Sequence, residues 1–286
     1  MLIGQFWGTS AAEGIPAPFC RCPGCEEARK NGGKSLRTRS CFRLSDKIML
    51  DLGADAVTQS AKFGDLADVE HILITHTHED HLNPHMFMEL VWGRAYTPKK
   101  PTHFYLTEDA FKMVEHWRKT PWIVKGILPK LEKEGLVVFH KLSFGERIEI
   151  DGCGITPLEG NHKGNVGENS ALYLIDLPDG RKLFYGLDSG PYLPQTLEAL
   201  KAHQIDLFIS ECSLGLSDAK NPGHLSFPEV ETLLKQLADQ GTLTAKSHVW
   251  ISHISHRTSH PEMVAAAEKL SFPFPVEIAW DGLKIL

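Results

Sequence analysis

Thr75-His76-Thr77-His78-Glu79-Asp80-His81 follows directly on the apolar run His71-Ile-Leu-Ile-Thr75 and places four metal-binding side chains, His76, His78, Asp80 and His81, within six residues. Residues two apart in an extended chain leave it on the same side, so His76 and His78 point together. Asp80 and His81 follow where the backbone has to turn. Imidazole suits zinc and other borderline transition metals, while carboxylate tolerates harder ions. One short loop of this kind can serve two cations and still hold water. The bland alternative is a solvated surface loop, but a strand-to-loop junction is where catalytic groups are displayed.

This run resembles the His-x-His-x-Asp-His signature of the metallo-β-lactamase superfamily. The resemblance implies an α/β fold, a four-layer αββα sandwich in which two mixed sheets are flanked by helices. It also implies three further ligands near strand ends, and candidates stand in the right order. His162 lies in Glu159-Gly-Asn-His-Lys-Gly164 after the apolar Gly154-Ile-Thr-Pro-Leu158. Asp188 ends Lys182-Leu-Phe-Tyr-Gly-Leu-Asp188, and His253 ends Val249-Trp-Ile-Ser-His253. By resemblance, His76, His78 and His162 hold one divalent ion, Asp80, His81 and His253 hold another, and Asp188 bridges them. Taken singly, each of the three is as readily a turn former or a satisfied polar group; Asp188 in particular precedes the ordinary turn sequence Ser189-Gly190-Pro191.

A second cluster, Cys20-Arg-Cys22-Pro-Gly-Cys25, brings three thiols into six residues of a Pro- and Gly-rich segment. Such proximity favours a shared zinc over disulfides, and a closed structural site needs a fourth ligand. His256, three residues beyond His253, is the best candidate. His260 is an alternative, although a first-turn position in a helix explains it equally. The cluster resembles the Cys-x-Cys-x-x-Cys site of the phosphoribosyl cyclic phosphodiesterases of bacterial phosphonate breakdown, which is completed by a histidine just after the last catalytic one. The resemblance extends from about Gly8-Thr9 to His256. A redox role for the thiols is the competing reading, disfavoured because the Cys-x-x-Cys is not expected to open a helix after a strand. Cys41, Cys153 and Cys212 sit in apolar or strand-like surroundings and read as small core residues.

Length and composition fit one globular metallo-hydrolase domain over residues 1–286, with a helical insertion at about 86–135. The N-terminal Met1-Leu-Ile-Gly-Gln-Phe-Trp7 has no basic leader, and no uncharged apolar stretch is long enough to span a bilayer. A cytoplasmic protein without a membrane partner is therefore expected. The net charge of −6 gives no electrostatic footprint for long nucleic acid. Nothing sets the oligomeric state, and a homodimer is allowed.

Strand-like runs occur at Leu2 to Trp7, Ser40 to Leu44 and Lys47 to Leu52, with Asp51-Leu-Gly53 punctuating a turn. Helices are expected over Glu108 to Lys119 and Ile123 to Glu134, in a segment with Pro98, Pro101, Pro121, Pro129, Trp117 and Trp122 that is a candidate lid or pocket wall. Strands resume at Leu136 to His140, Arg147 to Ile150, Ala171 to Leu177, Lys182 to Leu187 and Asp206 to Glu211. Ser226-Phe-Pro-Glu229 and Ser259-His-Pro-Glu262 each fit a capping box at a helix start.

The chemistry implied is that of two divalent ions, zinc or manganese, roughly 3.5 to 4 Å apart, which lower the pKa of a shared water to about 7. Two dications, two aspartates and one hydroxide sum to about +1, which favours an anionic substrate such as a small phosphodiester. His224, in Asn221-Pro-Gly-His-Leu-Ser226, is the candidate proton donor or phosphate contact, with Ser226 at the following helix start as a further substrate contact. Asp80 is an alternative donor. Lys163 is a possible anion contact by adjacency alone, and Arg37 and Arg39 read as surface charge. The expected function is thus hydrolysis of a small cyclic or ribose-linked phosphodiester. Hydrolysis of a lactone, thioester or amide by the same ligands is the first alternative, because the ligand set does not fix the electrophile. A non-hydrolytic role, as in the metallo-β-lactamase-like member of the pyrroloquinoline-quinone pathway, is the second.

Overall fold

Apolar residues alternate along the strands with a period of two, and each strand sends its two sets into different cores. On the run 182–186, Leu183 and Tyr185 enter one cluster of buried side chains and Phe184 another. On the run 248–254, Trp250 joins the first cluster while Val249 and Ile251 join the second. A strand apolar on both faces is covered on both sides, and this pattern requires a layer above and below each sheet.

The computed structural model describes residues 1–93, 100–120 and 126–286. One sheet holds β1 (Leu2–Gly8), β2 (Cys41–Ser45), β3 (Ile48–Leu50), β4 (His71–Leu73), β5 (Thr102–Thr107) and β6 (Val137–Leu142), in that spatial order. Its first three strands pair antiparallel and the rest parallel. The other sheet runs from β7 (Ile148–Ile150) through β8 (Cys153–Lys163), β9 (Asn169–Asp176), β10 (Lys182–Gly186), β11 (Leu207–Cys212) and β12 (His248–Ile254) to β13 (Val276–Ile278), again as spatial neighbours. Here β7 to β10 pair antiparallel and β10 to β13 parallel.

Phe42, Leu73, Tyr105, Tyr173, Tyr185 and Trp250 belong to the cluster between the sheets. Helices α1 (Pro23–Asn31), α2 (Ala56–Phe63), α3 (Met86–Gly93), α4 (Phe111–Lys119), α5 (Ile127–Lys133), α6 (Pro194–Lys201), α7 (Phe227–Asp239) and α8 (His260–Ala267) complete the described elements. Residues of α2 to α5 pack over the outer face of the first sheet, and residues of α6 to α8 over that of the second. The result is the expected αββα sandwich. Truncating a fully buried aromatic at its centre, such as Tyr173 or Phe42, costs about 3–5 kcal/mol.

Both expected capping boxes form, at Ser226 with Glu229 and at Ser259 with Glu262. Several expectations change. The stretch 86–135 supplies β5, and Val114, Trp117, Leu128 and Leu131 are buried in the outer core of the first sheet, so much of its described part is scaffold, while Met86, Glu89, Leu90, Gly93 and Thr102 line a cleft of about 200 Å³. Pro98, Pro121, Trp122 and the expected helix start at Ile123 lie outside the described residues. Helix α4 begins at Phe111 rather than Glu108, because Asp109 and Ala110 form a turn whose Ala110 N–H donates to Thr107 Oγ1. The cysteine segment does open a helix, with Cys22 as the N-cap of α1 and Pro23 at its first position, though a loop and not a strand precedes it. Arg37 and Arg39 are not free surface charges. Arg37 is buried and donates to Thr9 Oγ1 and the Ala279 carbonyl, while Arg39 is half-buried against Asp55. Among the described residues no helix is long and apolar enough to cross a membrane.

Candidate metal centre

In the parallel parts of the two sheets, the chain leaves the C-terminal ends of strands into loops, which is where open α/β sheets bind ligands. β4 runs into His76–His81, β10 into Asp188, and β12 carries His253 near its end. The antiparallel β8 adds His162. Their ligand atoms gather in three overlapping groups: His76, His78 and His162; Asp80, His81, Asp188 and His253; and His162, Asp188 and His224. His78 Nδ1 is 2.9 Å from His76 Nε2 and 3.2 Å from His162 Nε2. Asp188 lies between the groups, with Oδ2 2.7 Å from His81 Nε2 and 3.5 Å from His76 Nε2, and Oδ1 2.9 Å from His253 Nε2.

Asp51, Asp188 and His253 all adopt left-handed backbone, with φ of 62°, 50° and 49°. Non-glycine residues persist there only when the surroundings over-determine them, and these three serve the same cluster. The turn after Asp188 is tightly packed: a Cβ on Gly190 would lie 1.9 Å from the Pro222 carbonyl oxygen. Glycine there lets the loop bearing His224 approach Asp188.

Each buried imidazole is oriented from behind. His81 Nδ1 is 2.8 Å from Asp51 Oδ2, and Asp51 Oδ1 accepts the Thr75 N–H and hydroxyl. His253 Nδ1 meets Ser40 Oγ at 2.7 Å, and His162 Nδ1 meets the Gly223 carbonyl at 3.1 Å. Such partners fix which nitrogen faces a cation. Glu211, fully buried at the end of β11, accepts the Ser189 and Ser213 N–H groups and faces His224 Nδ1 at 3.6 Å.

The electrostatics point to cation binding. Burial and the neighbouring His81 hold His76 well below the ordinary histidine range, and burial and His224 lower His162; both are neutral, as ligands must be. Burial works against protonation of His81 and His253, but Asp80, Asp51 and Asp188 drive His81 up, and Asp188 drives His253 up. Burial also works against Asp80 and Asp188, yet the histidines keep both low. The ion-pair partners of Asp80 and Asp188 are all histidines, so protons there supply the positive charge the carboxylates require. Although the atoms lie close, His81 Nε2, Asp188 Oδ1 and His224 Nδ1 are buried without an aligned hydrogen bond. Crowded, unaligned donors of this kind fit a shared divalent cation.

The Cys20, Cys22, Cys25 and His256 ligand atoms also gather, with His256 Nδ1 3.4 Å from Cys22 Sγ and 3.5 Å from Cys25 Sγ. Burial raises Cys25 to about 12, whereas hydrogen bonds from the Cys25 backbone and His256 outweigh burial at Cys22 and bring it to about 6. His260 stands apart from them, its Nδ1 2.7 Å from an Arg37 nitrogen. Cys41, Cys153 and Cys212 are buried in the core as expected.

The histidine and aspartate atoms open on a cleft of about 320 Å³, lined also by Glu13, Ser213, Asn221, His224 and Arg257. Ser226 is not on its wall; its hydroxyl donates to Glu229 within the helix cap. Lys163 lines a neighbouring cleft with Glu108, Asp109 and Glu159.

A sequence model described as the beta-lactamase superfamily domain matches residues 47–254. The chain belongs to the metallo-β-lactamase superfamily, a family of metal-dependent hydrolases. No curated protein matches the sequence at a significant level. Among solved structures, the chain is similar to a diphosphatase of the PhnP family, with 18% identity, a TM-score of 0.72, and 99% of this chain and 96% of that one covered. It is similar to zinc-bound PqqB from Methylobacterium extorquens, with 16% identity, a TM-score of 0.74 and 99% of both chains covered. The short form of human tRNase Z aligns over 100% of this chain and 99% of its own at 18% identity and a TM-score of 0.63. These likenesses carry the fold, and the superfamily accounts for divalent ions at the histidine and aspartate groups.

Asp51, Ser40, Glu211 and Arg257 escaped the sequence reading. For Asp51 a signal existed, since an acidic residue directly after an apolar strand run is the same pattern that singled out Asp188.

Proposed function

We propose that this chain is a dimetal phosphodiesterase that opens or cleaves a small cyclic or ribose-linked phosphodiester. The observation that carries this reading is the place of His224 on the cleft wall, its Nδ1 3.3 Å from Asp188 and 3.6 Å from Glu211, two carboxylates that favour its protonated form against the opposing effect of burial. It stands beside the metal ligands as a proton donor, and Arg257 adds a positive group to the cleft wall. A phosphodiester anion meets both, whereas a neutral lactone offers Arg257 no charge to pair with. Phosphate chemistry also agrees with one structural neighbour, a diphosphatase of the PhnP family.

In this reading His76, His78 and His162 hold one ion, and Asp80, His81 and His253 the other, with Asp188 between them. When bound, the pair supplies an ionised water at neutral pH and neutralises charge on a phosphoryl group. The chain itself orients the ligands through Asp51, Ser40 and the Gly223 carbonyl. His224 binds the phosphoryl anion and gives its proton to the leaving sugar oxygen. A divalent ion held by Asp188 would weaken that carboxylate's hold on the His224 proton, while Glu211 at 3.6 Å remains as the second partner of the ring. The cysteine group with His256 holds a structural zinc that ties α1 to the loop after β12.

The test is turnover of bis(p-nitrophenyl) phosphate, a lactone and a β-lactam by protein loaded with zinc or manganese. The expected result is turnover of the diester alone. Asp188→Ala should lose about a thousandfold in kcat/KM, roughly 4 kcal/mol, and His224→Ala about 10²- to 10⁴-fold. Lactone turnover with no diester turnover, or an unchanged His224→Ala enzyme, contradicts the proposal.

A further inference from the structure

The loop between His76 and His78 is held by a single turn of the second sheet, and the strand that leads into that turn carries a ligand. Glu168 is buried, with 2% of its surface exposed. Its Oε1 accepts the Thr77 N–H at 2.9 Å and the Thr77 hydroxyl at 2.5 Å, and its Oε2 accepts the Val166 N–H at 3.1 Å. Asn165 completes the grip, donating its N–H to Thr77 Oγ1 at 2.9 Å and its side-chain amide to the Thr77 carbonyl at 2.8 Å. The backbone N–H, the carbonyl and the hydroxyl of Thr77 are therefore all bonded by residues 165–168. His162 lies on β8 just before this turn, which leads into β9.

The turn is shaped for this grip. A Cβ on Gly164 would lie 2.0 Å from Glu168 Oε1, so only glycine lets the carboxylate fold back over its own turn. The Gly164 N–H donates to the Glu168 carbonyl, and the Gly167 N–H to the Gly164 carbonyl, which closes the turn on itself. Among the described residues no cation lies within ion-pair distance of this buried carboxylate. A charged group taken from water without a counter-ion is costly unless its hydrogen bonds are made, and here they are made chiefly with the residue between two ligands.

We propose that Glu168 is a positioning residue for the ion held by His76, His78 and His162: it locks His-x-His to the turn that carries the third imidazole and so sets the spacing of all three. The inference rests on the metal-centre reading above. Neither the spacing of the motif nor the chemistry of the ligands needs this residue; its role follows from the bonds between residues 77 and 165–168.

The test is cobalt(II) titration in competition with a chelator, read by the visible absorption of the bound ion, with thermal melts to establish folding. Glu168→Ala is expected to weaken the cation at the His76 group by about 10- to 100-fold while the cysteine group keeps its metal. Glu168→Gln retains an acceptor for Thr77 and is expected to restore most of that affinity. Thr77→Val, which leaves the backbone bond in place, is expected to weaken binding about three- to tenfold, and the double variant no more than Glu168→Ala alone, because the two side chains act through one contact. If Glu168→Ala does not fold, Thr77→Val alone decides. Binding within twofold of wild type in a folded Glu168→Ala or in Thr77→Val, or fully additive losses, overturns the inference. Wild-type protein that takes up no cobalt on His76, His78 and His162 overturns the metal-centre reading with it.

Discussion

The histidine and aspartate centre and the cysteine group are three residues apart at His253 and His256, yet they are built on opposite plans. The cysteine group takes three of its four ligands from the six residues Cys20 to Cys25, at the start of α1, and borrows only His256. The other centre draws its ligands from four separate stretches: the loop after β4, β8, the end of β10 and β12. A local cluster needs one loop to dock. A distributed one needs both sheets in register, and it compensates with a row of orienting partners, Asp51, Ser40 and the Gly223 carbonyl, behind its imidazoles.

A ligand removed from the first plan and an orienting partner removed from the second should therefore have different consequences. Cys22→Ser is expected to release the metal from the cysteine group and to lower Tm by roughly 5–15 °C, because binding energy at a structural site is folding energy. The catalytic pair should stay bound, and a thermal melt alongside metal analysis measures both. A Tm unchanged by Cys22→Ser would reduce the cysteine group to a surface feature and remove the contrast. Asp51→Asn acts in the reverse sense. It keeps an acceptor for Thr75 but withdraws the carboxylate behind His81, so metal affinity should fall about 10- to 100-fold with little change in Tm. Chelator competition measures this, and equal affinity in wild type and variant would show that His81 needs no orienting anion.

The same contrast explains what the sequence made legible. The candidate ligands are histidines and aspartates at strand ends: His76, His78, Asp80 and His81 stood out by residue type and crowding, while His162, Asp188 and His253 were singled out by the order that the family resemblance implies. Asp51, 24 residues from its partner Thr75, shared with Asp188 the signal of an apolar run before it, whereas Glu168 is an ordinary carboxylate whose partner Thr77 lies 91 residues away, and only the folded pairing selects it. Arg37 looked like surface charge for the same reason, since the carbonyl it meets belongs to Ala279. Helix α1 was missed because its first turn is Pro23-Gly24-Cys25, and glycine is a poor helix former; proline at the first position was the available signal. The placement of β5 within a stretch that looked like an insertion reflects pairing with β4 and β6, which local propensity does not encode.

The most direct test of two separate metal centres is a metal inventory by elemental analysis of wild type, Cys22→Ser and Asp188→Ala, each reconstituted with zinc or manganese and desalted. The account predicts three ions per chain in the wild type, two in Cys22→Ser and one, on the cysteine group, in Asp188→Ala. A wild type without bound metal, or two variants that lose the same ion, would contradict it.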